Sequence, residues 1–360
     1  MKSKLSLLVI VAILAIGIAC KSSPSSGTSN VVQGNGQGLI GAGSTFVYPL
    51  MSRWIADFQG KQQSAPINYQ SIGSGGGIQQ LKKGLVDFGA SDVALTDAQI
   101  KEMPAAVVQF PESAGPVCIT YNLPGLNQPL RLTGPLLAGI YLGKIKTWRD
   151  PALKNANPGV QFPSKPVVVA HRSDGSGTSN IFTTYLSAVS PDWKDKVGIG
   201  TAVNWPAGLG GKGSEGVTGI VKQTEGAIGY VELSYAEENK LPTATVENQA
   251  HQFVAPSAET ASSAITPFAD QLANDVRVPV VNAPPSAKDA YPITGLTFLI
   301  VPKDGDDASK RAELKKFLDY VVTEGQKPAS QLHYAALPDG LVTLDKKLID
   351  SLTAKGQPIQ

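Results

Sequence analysis

Residues 167–170, Val-Val-Val-Ala, read as a buried strand, and apolar residues at helical spacing resume at Ile181. Between them stands His171-Arg172-Ser173-Asp174-Gly175-Ser176-Gly177-Thr178-Ser179-Asn180. The order is strand, glycine loop, helix start, and it restricts the chain more than any other feature, since α/β sheets are built from this unit. At a helix start the first backbone N–H groups lack an acceptor and the aligned peptide dipoles leave partial positive charge, so an anion fits there. Gly175 and Gly177 let N–H groups approach a ligand closely, while Ser176, Thr178, Ser179 and Arg172 add donors. A capped helix after a polar turn accounts for the same residues, so the rest of the chain has to decide.

The pattern recurs. A short strand at 38–43 leads through Gly41-Ala42-Gly43-Ser44-Thr45-Phe46 into a helix carrying Leu50, Trp54, Ile55 and Phe58. The strand 67–71 is followed by Gly73-Ser74-Gly75-Gly76-Gly77 and a helix over 78–83; the strand 86–90 ends at Ser91 and Asp92, before a helix from Thr96-Asp97. Loops delivered at the carboxyl ends of such strands share one crevice, the usual ligand site of an α/β sheet. Further on, the reading is strands at 106–110 and 115–121, a helix at 135–141, a helix at 215–223, a strand at 226–232, a helix at 258–272, a strand at 291–301 and helices at 309–323, 327–334 and 341–352. Pro/Gly breaks fall near 110–116 and 280–292. They predict one lobe from both ends of the chain, 38–112 with 290–360, and a second from 113–289, joined as a hinged clamshell with the ligand between the lobes.

The ends and the composition narrow the function. Lys2 and Lys4 precede an apolar run from Leu5 to Ala19 that is short for a membrane span and stops at Gly-Ile-Ala-Cys, so residues 1–20 read as a lipoprotein-type signal with Cys20 as the lipidated residue. Residues 21–37, rich in Ser, Gly, Asn and Gln, read as a flexible tether. Without Lys2 and Lys4 the formal net charge falls from +2 to 0, so no nucleic-acid partner is indicated. Cys118 lies in an apolar run and reads as a buried hydrophobe; His171, His251 and His333 have no zinc-ligand spacing, so neither metal nor cofactor is expected. The Gly208–Gly213 stretch matches G-x-G-x-x-G but follows Trp205-Pro206 instead of a strand, and no Gly-x-Ser-x-Gly occurs. The chain reads as a binder and not an enzyme.

The donors alone suit a carboxylate, sulfate or phosphate. Asp92 selects among them, because a carboxylate in a ring of donors repels an anion without protons and accepts a hydrogen bond from one that carries a proton. Phosphate carries at least one proton at neutral pH; sulfate carries none. Asp174, two residues beyond Arg172, is placed to hold the guanidinium. A phosphatase on the same pocket, a binder of sulfate or molybdate, and an adhesin without a small ligand are the competing readings.

From about Gly38 to Leu352 the chain resembles the substrate-binding proteins of bacterial ABC phosphate transporters. The resemblance is carried by Gly-Ala-Gly-Ser-Thr-Phe at 41–46, Tyr-Gln-Ser-Ile-Gly-Ser-Gly-Gly-Gly at 69–77, Asp-Phe-Gly-Ala-Ser-Asp at 87–92, Tyr-Leu-Gly-Lys-Ile-Lys-Thr-Trp at 141–148, Arg-Ser-Asp-Gly-Ser-Gly-Thr-Ser at 172–179, the 208–213 glycine stretch and Gly-Ala-Ile-Gly-Tyr-Val-Glu at 226–232. Ser44, Gly75 and His171 are departures from the family pattern. What the resemblance implies is a type II periplasmic-binding-protein fold closing on inorganic phosphate, with contacts from Thr45, the Phe46 backbone, Ser74, Arg172, Ser176, Gly177 and Thr178, with Asp92 accepting the phosphate proton and Asp174 paired to Arg172. It further implies delivery to the permease subunits of the transporter, and a monomer held outside the cytoplasmic membrane by a lipid anchor at Cys20.

Overall fold

The computed structural model describes residues 38–359 except 62, 63 and 127. The leader, the tether and Cys20 lie outside the described residues. In chain order the first elements are β1 (Leu39–Gly43), α1 (Tyr48–Lys61), β2 (Ile67–Ser71), α2 (Ser74–Lys82), β3 (Phe88–Ser91), α3 (Asp97–Lys101), β4 (Val107–Tyr121), β5 (Arg131–Leu132), α4 (Gly134–Tyr141) and α5 (Pro151–Ala156). Then come β6 (Val168–Arg172), α6 (Gly177–Val189), α7 (Pro191–Lys196), β7 (Leu209–Gly211), α8 (Gly213–Gln223), β8 (Ala227–Glu232), α9 (Leu233–Glu238), β9 (Thr245–Glu247), β10 (Phe253–Val254), α10 (Ala258–Ile265) and α11 (Ala269–Asn274). The chain closes with β11 (Thr294–Pro302), α12 (Ala308–Val322), α13 (Asp339–Asp350), β12 (Thr353–Ala354) and β13 (Gln357–Pro358).

One eight-stranded sheet, in the order β2-β1-β3-β11-β4-β8-β6-β7, organises these elements. β1, β2 and β3 run parallel, as do β8, β6 and β7, and the antiparallel strands β11 and β4 join the two groups. Residues 107–116 of β4 pair with β11, whereas 117–121 pair with β8. The described residues consequently form one compact unit in which two half-sheets share a strand. The α/β class expected from strand–helix alternation is the one observed.

Several elements differ from the sequence reading. The strands expected at 106–110 and 115–121 are one 15-residue strand. Pro111 and Pro116 suggested a break, since proline gives nothing to a ladder. Both are accommodated because the β8 edge of β4 is laddered only from Val117 onward and the register with β11 shifts at Thr297/Phe298. The helix expected over 258–272 is α10 and α11 separated by a 3-10 turn at Thr266–Phe268, where Pro267 has no N–H for an α-helical bond. The helix expected over 327–334 is a turn followed by one 3-10 turn at Ser330–Leu332, after another 3-10 turn at Glu324–Gln326. β11 starts at Thr294 and not at 291, past Pro292.

Aromatic residues back the central unit. Phe182 of α6 packs on Tyr230 of β8 at 4.4 Å between ring centroids and on Tyr141 of α4 at 4.7 Å. His171 stacks on Trp205 at 5.0 Å. Burial of this cluster sets the height of the α6 N-terminus above the sheet. Cys118 is fully buried on β4, as its apolar run predicted. No helix among the described residues is long and apolar enough to cross a membrane.

Candidate functional site

Every strand-to-helix loop singled out in the sequence ends at one place. Ser44, Thr45, Ser74, Asp92, Arg172, Ser176 and Thr178 are each no more than 4% exposed, and Phe46 and Gly177 are buried with them. So many polar groups out of water require partners, and the partners define the site.

The loop after β1 is held by three tyrosines. The hydroxyls of Tyr69, Tyr235 and Tyr334 donate to the carbonyls of Ser44 (2.8 Å), Thr45 (2.5 Å) and Phe46 (2.6 Å) in succession. In a trans peptide the N–H points opposite to the C=O, so fixing the Ser44 and Thr45 carbonyls turns the Thr45 and Phe46 N–H groups away from the tyrosines. Thr45 Oγ1 also accepts from the Ser214 N–H (3.2 Å) and lies 2.8 Å from Ser214 Oγ.

The N-terminus of α2 meets the N-terminus of α6. Ser74 Oγ accepts from the N–H groups of Asp92 (3.3 Å) and Gly177 (3.1 Å), and the Gly75 N–H donates to the Gly175 carbonyl (2.9 Å). A Cβ on Gly177 would stand 2.6 Å from Cβ and N of Asp92, so only glycine admits this approach. Ser176 caps α6 by accepting from the Ser179 N–H (3.0 Å), while its own N–H donates to the Thr201 carbonyl (2.9 Å). What Ser176 can still offer a ligand is its hydroxyl proton.

Arg172 donates from Nε to Asp174 Oδ1 (2.7 Å) and from Nη2 to Asp174 Oδ2 (2.5 Å), a planar two-bond pair. Asp174 Oδ1 also accepts from the Gly213 N–H (3.0 Å), which ties the β6 loop to the start of α8. Burial works against the ionised carboxyl of Asp174, but Arg172 outweighs it and holds it below the usual carboxylate range. Asp174 thus fixes one edge of the guanidinium, as expected.

Asp92 sits at the centre. Its Oδ1 accepts from Ser44 Oγ and from Thr297 Oγ1 (3.2 Å), and its Oδ2 from Thr178 Oγ1 (3.1 Å). Burial pushes its carboxyl up to about 6, against the pull of the hydroxyl donors and the Arg172 charge. Those donors and the Arg172 charge favour its ionised form, one acceptor enclosed by hydroxyls, first-turn N–H groups and a guanidinium. Such a ring can hold an oxyanion that brings one proton of its own. Among the described residues no group of three or more His, Cys, Asp or Glu side chains is placed to hold a metal ion.

The sequence reading missed Ser44 as a partner of Asp92, Ser214, the three tyrosines, Thr297 and Glu112. Gly213-Ser214 carry a local signal, since they follow β7 as Gly73-Ser74 follow β2, and the helix expected over 215–223 starts two residues earlier, at Gly213. The others have no local signal. Thr297 stands 205 residues from Asp92 and Tyr334 stands 288 from Phe46.

A family model described as a PBP superfamily domain matches residues 22–324. The chain is 46% identical over 305 residues to the phosphate-binding protein PstS of Xylella fastidiosa (strain Temecula1), with 84% of this chain and 82% of that one covered. It is 40% identical over 321 residues to the phosphate-binding protein PstS of Haemophilus influenzae, with 89% and 94% covered. The crystal structure of a phosphate-binding protein from Stenotrophomonas maltophilia shares the fold at a TM-score of 0.65 and 18% identity, with 87% and 94% covered.

Proposed function

Since the chain belongs to the PstS family of phosphate-binding proteins, within the PBP superfamily, we infer that it captures inorganic phosphate and serves as the substrate receptor of an ABC phosphate transporter. The observation that carries this reading is the Asp92 carboxylate buried in a ring of donors. An anion without a proton would set two charged acceptors face to face, at a cost of about 1 to 3 kcal/mol or more, whereas phosphate offers its proton to Asp92. Sulfate is thereby rejected about tenfold to a hundredfold or more.

In this reading phosphate takes the N–H groups of Thr45 and Phe46, the hydroxyls of Thr45, Ser74 and Ser176, the N–H groups starting α6 at Thr178 and at Gly177, whose partner without ligand is Ser74 Oγ, and the open edge of Arg172, while the Thr178 hydroxyl stays on Asp92. Thr45 and Ser74 come from 38–112, Ser176 to Thr178 from 113–289. Ligand between them would hold these two lobes together, hinged where β4 passes from its pairing with β11 to its pairing with β8. The receptor family acts by binding, and we take this chain to be non-catalytic, monomeric and without a cofactor.

Lys2, Lys4 and the apolar run to Cys20 support export and lipid anchoring at Cys20, with residues 21–37 as tether to the membrane that carries the permease subunits. The test is calorimetric titration of the full chain, stripped of bound anion by unfolding and refolding, with phosphate and separately with sulfate near pH 7. One-to-one phosphate binding without measurable sulfate binding is expected. Refolded protein that releases no heat with phosphate overturns the reading.

A further inference from the structure

Behind Asp92 lies a second buried carboxyl that anion contact does not use. Glu112 is fully buried on β4, at the point where the register with β11 shifts: Thr297 faces Ser113 and Phe298 faces Pro111, so Glu112 is the extra residue. Its Oε1 lies 3.2 Å from Thr297 Oγ1, and the same hydroxyl lies 3.2 Å from Asp92 Oδ1. Its Oε2 is buried without a hydrogen-bond partner, and among the described residues no cation pairs with it.

A hydroxyl has one proton and can donate to only one of two carboxylates. Thr297 touches both, so one of its two contacts must be supplied by a proton on a carboxyl. Asp92 has Ser44 and Thr178 as further donors and Arg172 as a nearby charge; Glu112 has none of these. The proton therefore belongs on Glu112, where an uncompensated buried charge would be costly. Burial, reinforced by the charge of Asp92, pushes the Glu112 carboxyl up to about 8. The other titratable group facing it is the Tyr69 hydroxyl, which burial and both carboxyls push well above its ordinary value.

We propose that Glu112 is a positioning residue for anion selection: as a neutral acid it donates to Thr297, which then donates to Asp92 Oδ1 and holds that carboxylate as an ionised acceptor of the ligand's proton. The proposal rests on phosphate binding at Asp92. When Glu112 loses its proton, Thr297 is contested by two carboxylates and the site gains a negative charge behind Asp92. Phosphate binding must weaken for that reason alone, beyond any change in the ionisation of the ligand.

The test is calorimetric titration of the full chain with inorganic phosphate from pH 6 to 9 at fixed ionic strength, on the wild type, Glu112→Gln, Thr297→Val and Thr297→Ser, each shown to be folded by its thermal unfolding. The ligand's own ionisation is common to all four and cancels in their ratios. The wild type is expected to lose about tenfold more affinity than Glu112→Gln between pH 7 and 9, because an amide donates to Thr297 and has no proton to release. Thr297→Val should lose about tenfold at pH 7, and Thr297→Ser should restore most of it. A wild-type pH profile retained in Glu112→Gln overturns the proposal and leaves phosphate binding standing. So does full affinity in Thr297→Val, which also serves if Glu112→Gln does not fold. Absence of phosphate binding in the folded wild type overturns the underlying reading itself.

Discussion

In the proposed reading Asp92 is the single side chain that decides which anion is accepted, and that decision can be changed in two ways. Asp92→Asn replaces an acceptor by a group that can donate, so phosphate affinity should fall about tenfold to a hundredfold and sulfate should begin to bind, as read by titration with each anion at pH 7. Protonation does the same without mutation. As pH falls through about 6 the wild-type carboxyl gains a proton and becomes a donor, so sulfate binding should strengthen from pH 7 to pH 5 in the wild type and not in Asp92→Asn. Sulfate binding that is flat with pH in both would count against Asp92 as the selector. Asp92, Thr178, Arg172 and Asp174 were legible in the sequence because each sits in a loop whose neighbours already announce it. Thr297 and Glu112 were not, since nothing within a few residues of either one refers to Asp92; only the pairing of β11 with β4 brings them behind it.

For elements, the decisive event is the meeting of α2 and α6 at their N-termini, where the partial positive ends of two helices face one another across the Ser74 hydroxyl. Gly177→Ala should prevent that approach, since the added Cβ falls 2.7 Å from Ser74 Oγ as well as 2.6 Å from Asp92. Phosphate affinity is expected to drop at least about a hundredfold, as the misplacement removes several charge-assisted bonds of about 1.5 to 3 kcal/mol each. Far-ultraviolet dichroism should stay that of the wild type; an unchanged affinity would show that α6 has room the geometry denies it. The strand–glycine–helix units themselves could be read directly, and β2 was read to the residue. β4 could not, because its two prolines carry a local signal to stop, while the lack of a ladder partner along one edge, which tolerates them, is a property of the sheet and not of the segment.

Taken as one molecule, the chain buries carboxyls that only the folded state holds neutral. Glu112, Glu232 and Asp345 are all pushed up to about 8, by burial first in each case, and neither oxygen of Asp345 has a partner. A group whose folded value is raised contributes stability that is complete below its unfolded value, near 4, and is lost as pH rises through the folded one. Urea unfolding of the ligand-free chain should therefore show greater stability at pH 6 than at pH 9, and the reverse order would refute the assignment. Asp345→Leu removes one such group from α13 and should raise stability at pH 8 by about 1 to 3 kcal/mol. Phosphate at about a thousand times its dissociation constant should add a further 4 kcal/mol or so, if it binds the folded chain alone.

By itself the sequence determined the repeated strand, glycine and helix-start units, their donors, the carboxyls Asp92 and Asp174 among them, and the family they resemble. These are readable because helix capping, glycine conformation and apolar periodicity depend on neighbours within a few positions. Only the tertiary structure decided that three tyrosines from separate elements would take successive carbonyls of one loop, that Ser214 would join Thr45, and that Thr297 would stand between two carboxyls. Such contacts arise from strand order and packing summed over the whole chain, and no local pattern encodes which distant hydroxyl arrives.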